Sequence, residues 1–231
     1  MRVFQDEQFD SFRDRDSGAH FCDLEFRKCY FESCSLSITQ KPSLRTVVSN
    51  VKLINCVQRG CTLNSAIVEN CLIDGLKTNG QLLQTWGAAF NKVILRGKID
   101  RLMISSAVLP GVIGPEEQYA FDEANSEFYR KVEWALDISE GDFKELCIRG
   151  LPGHLIRRDP ETQVLVTREK ALSRRWQDLT LNENTWHVSL DMFLQRAEPS
   201  IVLVAPKRHP RFRNYVEDLM VLRDSGVAEP D

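Results

Sequence analysis

The chain has 231 residues, 42% of them hydrophobic and 27% charged, with a net charge of −3. That length holds one large or two small domains with a substantial core, and that composition excludes intrinsic disorder. No apolar run approaches the roughly 20 residues that cross a bilayer. Neither half is basic enough for a nucleic-acid surface, since residues 1–110 carry 14 Lys/Arg against 11 Asp/Glu and the remainder 16 against 22.

The opening MRVFQDEQFDSF carries acids and no signal-peptide core, which gives a cytoplasmic expectation. Phe9–Arg13 and Asp14–Gly18 keep the frame of the blocks that follow with poor apolar content. They read as a polar capping turn, with Phe4 and Phe9 covering the first coil.

Residues 19–38 read AHFCD LEFRK CYFES CSLSI, four blocks of five whose first and third positions are small or apolar. Alternate residues of an extended segment share a face. Because five is odd, a straight strand would send successive pairs to opposite faces, so the chain must turn a corner once per block. The result is a stack of coils with an inner ladder of first and third residues. After a loop at 39–50 containing Lys41-Pro42-Ser43, the pattern resumes as VKLIN CVQRG CTLNS AIVEN CLIDG LKTNG, with polar Gln58 and Thr78 at two centres.

These blocks resemble the pentapeptide-repeat family, whose usual unit is Ala-Asp/Asn-Leu-X-X. AHFCD and CSLSI fit that unit, whereas LEFRK and CYFES put Leu and Cys where Ala is commonest. The resemblance implies a right-handed four-sided β-helix in which four blocks close a coil, here about four coils with one loop insertion. From Gln81 to Ser106 the fives dissolve into irregular final coils, with Val93/Leu95 and Leu102/Ile104 as inward pairs. Cys29, Cys34, Cys56, Cys61 and Cys71 all occupy first positions, where cysteine packs as a small hydrophobe; no disulfide framework or metal site is expected.

LPGVIGPEE (109–117) changes the character of the chain, so the expected division is a solenoid at 1–108, a linker at 109–118 and a mixed α/β domain at 119–231. In that domain Phe121, Ala124, Phe128, Val132 and Ala135/Leu136 have helical spacing. Phe143–Arg149 reads as a strand. Leu155-Ile156 and Val164–Val166 read as a hairpin around Asp159-Pro160-Glu161-Thr162. Helices are expected at 169–179 and 188–196, a strand at Ile201–Ala205, and a last helix opened by Pro210 and ended by Gly226.

No phosphate loop, zinc-protease motif or nucleophile elbow is present. Asp137, Glu140 and Asp142 form a small carboxylate group. Two basic clusters are candidate binding sites for an anion or an acidic partner. One holds Arg157 and Arg158, with Arg168, Arg174 and Arg175 nearby; the other holds Lys207, Arg208 and Arg211, with His209 and Arg213, between a strand and a helix N-terminus. The alternative for these arginines is pairing with the chain's own acids, chiefly those of 116–145.

The functional expectation is a non-enzymatic interaction or scaffold protein, without cofactor or metal. Its partner would be another protein rather than a membrane or nucleic acid, with a homo-oligomer allowed. The pentapeptide-repeat family includes DNA-mimicking inhibitors of type II topoisomerases, but four coils make a rod of only about 20 Å, and this half is slightly positive. The competing expectation is an enzyme or small-anion binder with its site in the C-terminal α/β region.

Overall fold

The computed structural model describes residues 1–108, 114–196 and 198–230, so the expected linker lies in part outside the described residues. A first coil comprises β1 (Arg2–Gln5), β2 (Gln8–Asp10), β3 (Arg13–Arg15) and β4 (His20–Cys22). A second comprises β5 (Leu24–Arg27), β6 (Tyr30–Glu32), β7 (Ser35–Ile38) and β8 (Val47–Ser49). The third has β9 (Lys52–Arg59), β10 (Thr62–Asn64) and β11 (Ile67–Glu69), and the fourth β12 (Leu72–Lys77), β13 (Leu83–Trp86) and β14 (Ala89–Asn91). The long β15 (Val93–Ser105) follows.

All these strands pair in parallel with their counterparts one coil away, in four ladders. Phe4 pairs with Phe26, Leu53, Ile73 and Leu95 in succession. Phe9 pairs with Phe31 and then Gln58. Leu36 pairs with Leu63 and then Thr85, and Phe21 with Val48, Val68 and Phe90. These are the third residues of the blocks, stacked as the parallel ladder of a β-solenoid requires.

The corners have a chemical signature. Asp6, Ser11, Asp16, Asp23, Lys28, Ser33, Asn50, Asn55, Ser65, Asn70 and Lys92 all have φ between 47° and 56°, and Gly60, Gly75, Gly87 and Gly97 have φ of 63–74°. A left-handed residue turns the chain at the end of most blocks; in the block 34–38 it is the fourth residue, Ser37. Short polar side chains and glycine tolerate that conformation at the least cost.

The same signature corrects two expected registers. Ser17 and Gly18 are extra residues, so Phe4 and Phe9 are third residues of the blocks 2–6 and 7–11, and Phe12 is a first residue. The fives also continue past residue 80: the blocks 83–87, 88–92 and 93–97 each end in a left-handed corner, with the polar but buried Thr85 at a centre. Gln58 and Thr78 are buried too. Asn64 is likewise buried, although its position predicts an outward side chain; its amide donates to the Leu36 carbonyl oxygen at 3.3 Å and the Thr62 hydroxyl at 3.1 Å.

The sheet does not end at residue 108. Helix α1 (Pro115–Tyr129) intervenes, and then β16 (Leu136–Asp137) and β17 (Gly141–Arg149) return to pair in parallel with β15, Val93 to Leu136 and Ile99 to Phe143. β18 (Ile156–Arg157) adds to β16. Ala135 and Leu136, expected to end the helix, are buried core residues of this returning coil. The expected hairpin does not form for the same reason, because Ile156 pairs in parallel with Leu136.

Val164–Val166 belong to β19 (Gln163–Thr167), which pairs antiparallel with β20 (Ser200–Val204). This ribbon is apolar on both faces. Leu165, Val202 and Val204 join the solenoid core. Val164, Val166 and Leu203 join a second core with Trp176, Trp186, Leu190, Phe193, Leu219 and Leu222. That core is built by α2 (Arg168–Ser173), α3 (Thr185–Gln195) and α4 (Phe212–Asp224). Helix α2 stops at Ser173 and is followed by a short 3-10 turn rather than reaching 179, and α4 begins two residues after Pro210.

Two departures from the repeat meet each other. The loop of the second coil carries Arg45, which is buried and reaches the corner carbonyl oxygens of Ser65 (2.5 Å) and Gly87 (2.7 Å) and the Asn125 side-chain oxygen of α1 (2.7 Å). Its guanidinium lies 5.3 Å from the Phe121 ring centroid. Burial pulls its pKa down to about 10, with the nearby Tyr129 acting in the opposite sense, so it remains charged at neutral pH. Tyr129 accepts a hydrogen bond from the Phe90 N–H at 3.2 Å, and burial pushes its own pKa up to about 12.

Candidate functional site

The two basic clusters converge only in part. The Ala205 N–H donates to the Thr162 carbonyl oxygen at 2.9 Å, which brings the 206–211 loop beside the 159–162 turn. Lys207 Nζ then meets Asp159 Oδ2 at 3.0 Å, next to Arg158 in sequence. Arg208 points elsewhere and pairs with Asp100 of β15, tying the loop to the solenoid. Arg211 pairs with Glu183 at 3.0 Å. Arg157 is exposed and its guanidinium stacks 4.3 Å from the Trp134 ring centroid, while Arg158 donates to the Ile156 carbonyl oxygen at 3.5 Å. Arg168 donates to the Leu194 carbonyl oxygen at 3.0 Å, and Arg175 pairs with Asp178.

Three of the five candidate cations therefore face a carboxylate of their own chain. The acids are Asp100, Asp159 and Glu183, none of them from the 116–145 segment. Burial alone would raise the Asp100 carboxyl, but the Thr78 N–H at 3.0 Å and Arg208 outweigh it and hold the group below its ordinary value. Asp159 is held low in the same way, against burial, by the Thr162 hydroxyl at 2.7 Å and by Lys207.

The helix N-terminus read as an anion site also has an internal anion. Glu183 is almost fully buried and accepts from the Asn214 amide in the first turn of α4 at 3.3 Å, besides Arg211. A phosphate placed there would compete with this carboxylate. Among the early acids, Asp137 is occupied by the N–H and hydroxyl of Ser139, at 3.1 and 2.6 Å. Among the described residues no three His, Cys, Asp or Glu side chains form a metal-holding group, and no helix is long and apolar enough to cross a membrane.

A different surface stands out from the packing. The bore of the solenoid is sealed at its C-terminal end, where Leu165, Val202 and Val204 of the antiparallel ribbon close the core. At the N-terminal end the rings of the first coil stand open among the described residues. Phe4, Phe9 and Phe21 are only half-buried, and Phe12 is 48% exposed. Phe4 stacks on Phe26 and Phe9 on Phe31, with centroids 5.0 and 5.2 Å apart, and Phe12 meets Phe21 edge-on at 6.1 Å. Arg2 lies over the outer ring of this stack, 4.6 Å from the Phe4 centroid. An apolar cavity of about 880 Å³ follows the inside of the coils from these rings as far as Leu136.

The signal for this end is present in the sequence as four phenylalanines within the first 21 residues. Phe4 and Phe9, expected to cover the first coil, are instead inner residues of that coil: they stack on Phe26 and Phe31 of the second, and among the described residues only Arg2, over Phe4, lies against their rings from outside the stack. Comparison with protein-family models, curated proteins and solved structures finds no match for the chain.

Proposed function

We propose that the protein is a non-enzymatic interaction module built on a right-handed, four-sided β-helix of the pentapeptide-repeat type. Its partner is another protein, received at the open N-terminal end. The four ladders and the left-handed corner at most fifth positions support the fold reading. The observation that carries the functional reading is the contrast between the ends of one bore. The chain's own ribbon covers the C-terminal end, while aromatic rings stand open at the other. An apolar patch framed by polar residues marks an interaction surface. The arginine clusters serve this reading as internal braces that hold the sealing unit in place.

The test is retention of partner protein by the immobilised chain, compared between wild type and Phe12→Glu. Loss of a specific retained protein in the variant, with circular dichroism unchanged, supports the module. Equal retention by both proteins, or none by either, overturns it.

A further inference from the structure

Resting on the open-end reading, we infer that the partner is a second copy of this chain, docked end to end about a two-fold axis at the corner between β2 and β3. That corner is Ser11–Phe12, so the symmetry brings the two exposed Phe12 rings together.

The argument begins with charge. On the first coil the neighbouring strands β2 and β3 present outward charges of opposite sign. Asp10 stands on β2, Arg13 and Arg15 stand on β3, and all three are exposed. A two-fold axis perpendicular to the solenoid and passing through the shared corner lays β2 of each copy along β3 of the other. Asp10 then faces Arg13 of the second copy, with Arg15 two residues further along the same strand, twice over. An axis through the middle of β3 would oppose Arg13 of one copy to Arg15 of the other, and one through the middle of β2 would leave Asp10 opposite uncharged Gln8. The molecule already uses this kind of contact between its own coils, where Arg59 reaches Glu32 at 3.3 Å and Arg96 reaches Asp74 at 2.9 Å from neighbouring coils.

The backbone agrees with the charge. Strands β1 to β4 are the edge of the parallel ladders, with half their N–H and C=O groups directed away from the second coil. A two-fold axis at the corner runs the opposed strands antiparallel, a pairing in which both edges are satisfied. The short, charged strands discourage pairing with an arbitrary strand, so the same charges select the one partner whose pattern matches. An isologous contact of this kind is self-complementary and closes at two copies. One coil end is smaller than the roughly 1,600 Å² standard of stable complexes, so dimerisation belongs in the micromolar range.

Sedimentation velocity over a concentration series up to about 100 μM reads this directly. Wild type should pass from monomer to dimer. Asp10→Arg alone, and Arg13→Asp with Arg15→Asp alone, should each weaken self-association at least tenfold, with unchanged circular dichroism. Their mixture should recover a heterodimer. On one side of the axis the new cation of the first variant then faces the new acid at position 13 of the second, and on the other side the native pairing is kept. Phe12→Glu should be monomeric. A wild type that stays monomeric throughout overturns the proposal, and so does a dimer indifferent to both charge variants. A monomer that still loses a retained protein on Phe12→Glu overturns self-association alone and leaves the interaction module standing.

Discussion

Replacing Arg45 by Met tests how the two insertions are joined. Arg45 bonds the Ser65 and Gly87 corners and α1 together, through three contacts of 2.5–2.7 Å. Hydrogen bonds from a charged donor contribute about 1.5–3 kcal/mol each, and their acceptors would be left without that donor in a buried site. Against this, a buried guanidinium with no carboxylate among those partners bears a desolvation cost that Met, of similar length, removes. The acceptors dominate, because two of them are backbone carbonyl oxygens that cannot turn to solvent without opening the coils. A net loss of about 2–4 kcal/mol follows. Urea unfolding measures it, and tyrosine titration localises it. Burial holds Tyr129 at about 12 in the native chain; if α1 loosens, the phenol becomes more exposed and ionises nearer its ordinary value of 10. Unchanged stability together with a Tyr129 value that stays put or rises would refute the pin, since loss of the Arg45 charge from an intact site can only raise it.

Native thiol labelling should be fast at exposed Cys22 and slow at Cys29, Cys56 and Cys71, which are buried; burial pushes the Cys56 and Cys71 thiols up, so little thiolate is present to react. Phe31→Asp should unfold the solenoid by placing a charge in its bore, whereas Glu32→Ala, which loses a surface pair with Arg59, should cost about 1 kcal/mol or less by thermal melting. Arg208→Ala with Arg211→Ala should lower the melting temperature and leave retention on an anionic resin little changed, because both cations face carboxylates. Asp100 and Asp159 have depressed native carboxyls, so their stabilising contribution is present above the ordinary value of 3.8 and is lost as pH falls through the lower folded values; an acid titration of unfolding free energy should show that loss, and Asp100→Asn should reduce it.

What was legible in the sequence depended on whether the cause was local. The ladder of Phe26, Leu53, Ile73 and Leu95 could be read because each inward pair repeats within a block. The corners were equally local and went unread: Asp23, Lys28 and Ser33, then Asn55, Gly60 and Ser65, sit at fifth positions and name the turn. Reading them would have fixed the frame at Ser17–Gly18 and carried the repeat through Gly97. The return of β16 and β17 had no such trace. Their parallel pairing with β15 spans the whole of α1, and a strand cannot announce a partner that far away in sequence. The hairpin failed for a related reason, since Ile156 was already committed to a parallel ladder and Val164–Val166 found a partner beyond two helices. Positive charge was legible at Lys207, Arg208 and Arg211, but its meaning was not, because the opposing acids came from three separate elements.

Those pairings give the molecule its polarity. A solenoid has two identical needs, one at each end of its bore, and this chain answers them differently. At the C-terminal end the ribbon of β19 and β20 is apolar on alternate residues of both faces, so it closes the bore with one face and carries three helices on the other. Arg208 fastens that unit to β15, and Lys207 and Arg211 hold its own loops and helices in register. Charge that looked available for a ligand is therefore the consequence of sealing one end. At the N-terminal end, among the described residues, the first coil adds no cover to Phe4, Phe9, Phe12 and Phe21 beyond the Arg2 guanidinium, and its edge strands remain open. Apolar rings and unpaired edges left at one end, after the other has been closed so thoroughly, are the reason the proposed contact surface lies on the first coil.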